Sequence, residues 1–92
     1  MKFHFNLQTQ TLKIPQGKNS YLVLTKEFCT LGGIGFILDS EQPPNSWIIF
    51  KISSQKVKVI YKTHAIYYQR ELFRPPGGVI EVDFSEWDRV KK

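Results

Sequence analysis

The sequence predicts an all-β (or β-rich α+β) fold: a small antiparallel barrel or sandwich of about six to seven strands with a short C-terminal helix. Three observations carry this. Apolar and polar residues alternate with period two in several short runs, the mark of half-buried strands. Turn-forming clusters separate these runs at short spacing, as in barrels and sandwiches. Helical spacing is confined to two stretches, 64–73 and 86–91.

The first run sets Phe3, Phe5 and Leu7 against Lys2, His4 and Asn6. Apolar parity then switches to even at Leu12 and Ile14. A one-residue slip reverses the faces of a strand, so a turn or bulge is expected within Gln8–Thr11. The composition of 15–20, Pro-Gln-Gly-Lys-Asn-Ser, reads as a turn. Tyr21–Thr25 is a β-rich run. Gly32 to Leu38 holds three glycines, expected at a bend or where another backbone comes close. Asp39–Ser46, with Pro43-Pro44-Asn45, is a surface loop. Trp47–Ile52 is apolar on both faces apart from Lys51 and reads as a central strand. Ser53-Ser54-Gln55 is a tight connection to Lys56–Lys62. In that strand Val57, Val59 and Tyr61 take one face, and Lys56, Lys58 and Lys62, with Ile60, the other. The stretch 64–73 fits both periods; its two adjacent tyrosines and the strand before it favour a strand. After Arg74-Pro75-Pro76-Gly77-Gly78, Ile80, Val82 and Phe84 alternate with Glu81 and Asp83. Ser85 and Asp88 are spaced as in a capping box, and Trp87 and Val90 share a helix face, so 86–91 reads as a helix whose Trp87 plugs an open end of the sheet.

A chain of 92 residues supports one core, so residues 1–92 are expected to form a single domain. Hydrophobic residues make up 41% and charged residues 23%, values that argue against wholesale disorder. The first residues turn polar at once and offer no signal-peptide centre. No apolar run is long enough to span a bilayer, and Cys29 is the only cysteine. A cytoplasmic location, with no membrane partner, is the expectation.

The net charge of +5 is unevenly placed. Residues 1–50 carry four lysines against Glu27, Asp39 and Glu41. Residues 51–74 carry Lys51, Lys56, Lys58, Lys62, Arg70 and Arg74 against Glu71. Residues 75–92 carry three cations against four carboxylates. The balances are therefore +1, +5 and −1. A one-sided excess favours an anionic partner.

Catalytic and metal-binding patterns are weak. Cys29 with His64 or His4 would need a base in hydrogen-bond reach and a third group to orient it, and a lone cysteine in apolar surroundings reads first as a small core residue. His4, His64 and a lysine would make a ribonuclease-type acid–base set, with the histidines dividing the proton transfers. One cysteine and two scattered histidines do not supply a zinc site. The glycines lack the spacing of a phosphate loop or a dinucleotide fingerprint. No cofactor is expected, and the chain reads as a non-enzyme.

The basic segment is the strongest functional signal. On a strand, Lys56, Lys58 and Lys62 project from one face, alternate residues lying about 7 Å apart. Each strand of a duplex carries one phosphate per about 3.4 Å of helix axis, and the interval is longer when a strand is extended. Tyr61, Tyr67 and Tyr68 accompany the lysines, and Arg70 and Arg74 continue the run. Interleaved aromatics and cations on a β-surface are what single-strand binders use, stacking for bases and charge for phosphates. The competing structural reading has the lysines protecting an edge strand and the tyrosines packing in the core or rim.

Two short stretches resemble parts of two different families. Arg74-Pro75-Pro76-Gly77-Gly78-Val79-Ile80-Glu81-Val82 followed by Glu86-Trp87-Asp88-Arg89-Val90-Lys91 resembles the end of the single-strand-DNA-binding coactivator family, over about the last 35 residues. Tyr21-Leu22-Val23-Leu24-Thr25-Lys26 is similar to the opening strand of the carbon storage regulator RNA-binding family. The two imply different folds, and neither transfers a site residue.

The expectation is a non-catalytic, basic module contacting nucleic acid, single-stranded by preference, through the Lys56–Arg74 surface. The alternatives are a small inhibitor or adaptor binding an acidic protein surface, and a small ribonuclease. Exposed strand edges would also permit a homodimer.

Overall fold

The computed structural model describes residues 2–30, 32–39, 41–53, 55–63, 66–73 and 78–83. Within them lie nine strands: β1 Lys2–Asn6, β2 Thr11–Pro15, β3 Tyr21–Thr25, β4 Phe28–Thr30, β5 Gly33–Ile37, β6 Trp47–Ile52, β7 Lys56–Thr63, β8 Ile66–Phe73 and β9 Val79–Asp83. They form two antiparallel sheets, one ordered β3-β2-β1-β9 and the other β4-β5-β6-β7-β8. The chain divides accordingly into two compact units, one holding the four-stranded sheet and one the five-stranded sheet. Among the described residues there is no helix long and apolar enough to cross a membrane.

The four-stranded sheet explains the parity switch. Asn6 Oδ1 accepts hydrogen bonds from the N–H groups of Gln8 at 2.9 Å and Thr9 at 3.0 Å. Gln10 N–H then donates to the Asn6 carbonyl at 2.8 Å. Such an Asx-type turn is what a short polar side chain offers in place of a longer strand. Gln10 ends the turn with φ 57°, in the left-handed region. The reversal pairs Phe5 with Leu12 and with Ile80, and Phe3 with Val82. Odd positions of β1 and even positions of β2 therefore share one face. Phe3, Phe5, Leu12, Ile80 and Val82 are all buried there. Each such side chain contributes about 1.5–3 kcal/mol on removal from water. Leu7, which continues the odd-numbered pattern of β1, falls in the turn.

The five-stranded sheet buries Ile34, Phe36, Ile48, Phe50, Val57, Val59 and Tyr61 on one face. Register aligns them in rows: Ile34, Phe50 and Val59 in one, Phe36, Ile48 and Tyr61 in the next. The Phe36 and Phe50 rings meet edge-to-face with centroids 6.1 Å apart, a favoured aromatic geometry.

Two sequence expectations change, the strand count and the burial of Cys29. The strand count is nine among the described residues, above the six to seven expected. Two strands are added: β5, Gly33–Ile37, where the glycines suggest a bend, and β4, which is only Phe28–Thr30 behind Lys26-Glu27 and too short to show a period. The stretch after the β7 turn is strand from Ile66 to Phe73. Cys29 is exposed on the edge strand β4 and is not a core residue. The expected helix at 86–91 and Trp87 lie outside the described residues.

The glycines of β5 serve neighbouring side chains. Phe28 pairs with Gly35, and a Cβ at Gly35 would run into the Phe28 ring. The ring therefore lies across the glycine and covers a backbone that carries no side chain.

Candidate anion-binding face

The hairpin β6–β7 is closed at Ser53 and Lys56. Ser53 N–H donates to the Lys56 carbonyl at 2.9 Å, and Lys56 N–H donates to Ser53 Oγ at 3.2 Å. This closure sets the register, and the register decides which side chains share a face. Lys58 stands directly opposite Lys51 of β6 and Glu71 of β8, and Lys56 stands opposite Phe73.

One row across this face therefore reads Glu71, Lys58, Lys51, Gly33 and Thr30. Directly opposed residues have Cβ atoms about 4.5–5.5 Å apart, and like charges so placed are destabilising. Lys56 adds a third cation; its Nζ lies 3.4 Å from Glu71 Oε2. Three lysines thus face one carboxylate. They line a shallow concavity of about 350 Å³ together with Gly32, Ile52 and Ser53. At the end of the row, Thr30 Oγ1 is buried without a hydrogen-bond partner among the described residues. A Cβ on Gly33 would press on both that hydroxyl and the Lys51 stem. Phe73, across from Lys56, is 82% exposed.

The structure divides the residues that the sequence grouped together. Lys56, Lys58 and Lys62 share one face, but Ile60 between them is only 7% exposed. Lys62 therefore stands apart from the other two, beside Trp47 in register. Tyr67 occupies the position opposite Lys62. Arg70, Tyr61 and Tyr68 lie on the other face, because Arg70 pairs with Val59 and Tyr68 with Tyr61. Tyr61 is 3% exposed, and its ring packs against Tyr68 at a centroid distance of 5.1 Å. So buried a ring offers no open face to a base, and Tyr61 leaves the stacking set. Arg70 is exposed, but not with the lysines. Arg74 lies outside the described residues.

Sequence reasoning passed over Lys51 and Phe73. Lys51 looked like an interruption in an apolar strand, and Phe73 like one apolar residue of an ambiguous stretch. The tight connection at 53–55 was the available signal. It is one residue short of the observed closure, however: a loop of 53–55 sets Lys51 against Val57, and only the pairing of Ile52 with Val57 sets Lys51 opposite Lys58.

A second concavity, about 250 Å³, lies on the four-stranded sheet and is lined by His4, Asn6, Thr11, Lys13, Tyr21 and Val79. His4 stands between Lys13 and Glu81 in register. Its Nδ1 is 3.6 Å from Glu81 Oε2, while Lys2 Nζ is 3.1 Å from Glu81 Oε1. The Tyr21 ring meets the His4 ring edge-on at 6.2 Å, and Lys13 Nζ lies 5.8 Å from its centroid. The charges here are matched in place. Of the ribonuclease-type set, His4 has a carboxylate beside it, and His64 lies outside the described residues. Among the described residues no cluster of three or more His, Cys, Asp or Glu is placed to hold a metal ion.

No family model matches the chain, and no curated protein or solved structure matches it either.

Proposed function

We propose that the protein is a non-catalytic module that binds the phosphates of a nucleic acid, single-stranded by preference, on the Lys51–Lys56–Lys58 face. One observation carries this reading: Lys51 and Lys58 are directly opposed on neighbouring strands with a single carboxylate, Glu71, in their row. An arrangement that costs stability in the free protein becomes favourable when a polyanion lies across it. Phe73 is the exposed aromatic on the same face and supplies a stacking surface for a base. Lys62 extends the track along β7, at the position opposite Tyr67 of β8.

The test is fluorescence anisotropy with labelled single-stranded DNA, single-stranded RNA and duplex DNA, at low and physiological salt. Binding that favours single strands and persists at physiological salt is expected. Each phosphate contact on a single strand contributes about 0.7 to the slope of log K against log salt. The double variant Lys51→Glu/Lys58→Glu should lower the slope by about 1.4 and weaken binding about 25-fold at 0.1 M salt. Lys2→Glu/Lys13→Glu changes net charge equally on the other sheet and should move affinity by no more than about threefold. Equal losses in the two double variants would reduce the face to generic charge. No binding at physiological salt would direct the search to an acidic protein surface.

A further inference from the structure

The two sheets have four edges, and three of them are defended. A strand at a sheet edge offers unpaired N–H and C=O groups to any passing chain, and proteins blunt such edges with charge, proline or brevity. β9 carries Glu81 and Asp83, β8 carries Arg70 and Glu71, and β4 is three residues long. β3 has none of these devices. It reads Tyr-Leu-Val-Leu-Thr, without charge or proline, and among the described residues its one strand partner is β2. Its side chains are open on both faces: Tyr21 is 52%, Leu22 39% and Val23 53% exposed.

We propose that β3 is the seam of a homodimer, in which two copies pair their β3 strands antiparallel about a two-fold axis through Val23. The two four-stranded sheets then become one continuous sheet of eight strands.

The register follows from the strand itself. Directly opposed residues of an antiparallel pair project to the same side. A two-fold axis perpendicular to the sheet must therefore pass through a residue and not between two. Of the possible centres, Val23 alone pairs all five residues of β3. Leu22 of one protomer then faces Leu24 of its partner, on the side where Leu22 pairs with Ile14 and Leu24 with Leu12. Tyr21 faces Thr25 on the opposite side, and Val23 faces its own copy. Just beyond the strand, Lys26 meets Ser20 and Glu27 meets Asn19, so no like charges oppose each other. A self-complementary patch of this kind closes into a dimer and does not propagate.

This inference is independent of the lysine face, which belongs to the other unit. Sedimentation analysis of the full chain over a wide concentration range tests it. The wild type should reach the dimer mass. Val23→Lys and Val23→Glu each set like charges against one another at the two-fold axis, and each alone should raise the dimer dissociation constant about tenfold or more. An equimolar mixture of the two should restore the dimer, which separates loss of the seam from loss of folding. A second measurement fixes the register. In a Cys29→Ser background, Val23→Cys should cross-link on oxidation, since opposed Cα atoms fall within disulfide reach of about 4.4–6.8 Å. Tyr21→Cys should not, because its copies lie four positions apart along the seam, about 13 Å. A wild type that keeps the monomer mass throughout, or a dimer unaffected by Val23→Lys, would overturn the proposal.

Discussion

The two polar sheet faces solve the same electrostatic problem in opposite ways. On the four-stranded sheet, cations stand beside carboxylates: Lys2 opposes Asp83 in register, its Nζ lies 3.1 Å from Glu81, and His4 opposes Glu81. On the five-stranded sheet, Lys58 opposes Lys51, and among the described residues Glu71 is the one carboxylate in their row. Segment charge already separates them, with the excess of cations in 51–74, but cross-strand register decides which of those cations meet. A face whose charges cancel internally has little left for an external ion, whereas a face of opposed lysines is completed by one. The difference is what makes the second face the better candidate for a polyanion.

The exposed aromatics carry the comparison further and give the larger of the effects expected here. Tyr21 is engaged by Lys13 and by the His4 ring. Phe73 is 82% exposed beside Lys56. Phe73→Ala should lower affinity for single-stranded nucleic acid about tenfold, within the ~1–3 kcal/mol range of base–aromatic stacking. The salt slope should stay unchanged, because the slope counts phosphates and not bases. Titrations of the variant at several salt concentrations check both points. A changed slope with unchanged affinity at low salt would remove Phe73 from the stacking role.

How much of this was legible beforehand depends on which interaction decides. Alternation within one strand was legible: Val57, Val59 and Tyr61 are buried, and Lys56 and Lys58 take the other side. The parity switch between Phe5 and Leu12 likewise announced a turn, and Asn6 makes it. Pairing between strands was not legible from periodicity. Lys56 and Arg70 are both cations of one basic stretch, yet the register sets Arg70 against Val59 on the opposite face. The same register removes Tyr61 and Tyr68, whose rings pack on each other. Sequence proximity stands in for spatial proximity only where the turn length is known, and one residue more or less inverts the answer. β4 escaped notice for a different reason. Three residues cannot display a period, and what places it is the Phe28 ring lying on Gly35, a contact between two residues that look unremarkable separately.

Stability should respond with opposite signs on the two faces, although the effects are small. Lys51→Met keeps the length of the side chain and removes the one of the two opposed ammonium groups that has no carboxylate directly across from it, since Lys51 stands between Lys58 and Gly33. Relief of that repulsion should stabilise the protein by about 0.2–1 kcal/mol. Glu81→Gln, on the other sheet, leaves Lys2 and His4 without their shared carboxylate. Lys2 and Glu81 are both about half exposed, so the loss should amount to no more than about 1 kcal/mol. Urea unfolding of both variants beside the wild type measures the signs directly, since a change in midpoint at constant m is a change in stability. Raising the salt to 1 M shortens the screening length from about 10 Å to about 3 Å, so both effects should shrink together. A lysine kept in place although its removal strengthens the fold is a residue retained for something other than folding. If Lys51→Met instead destabilises the protein, its ammonium group is held by the fold itself, and the distinction between the two faces loses its basis.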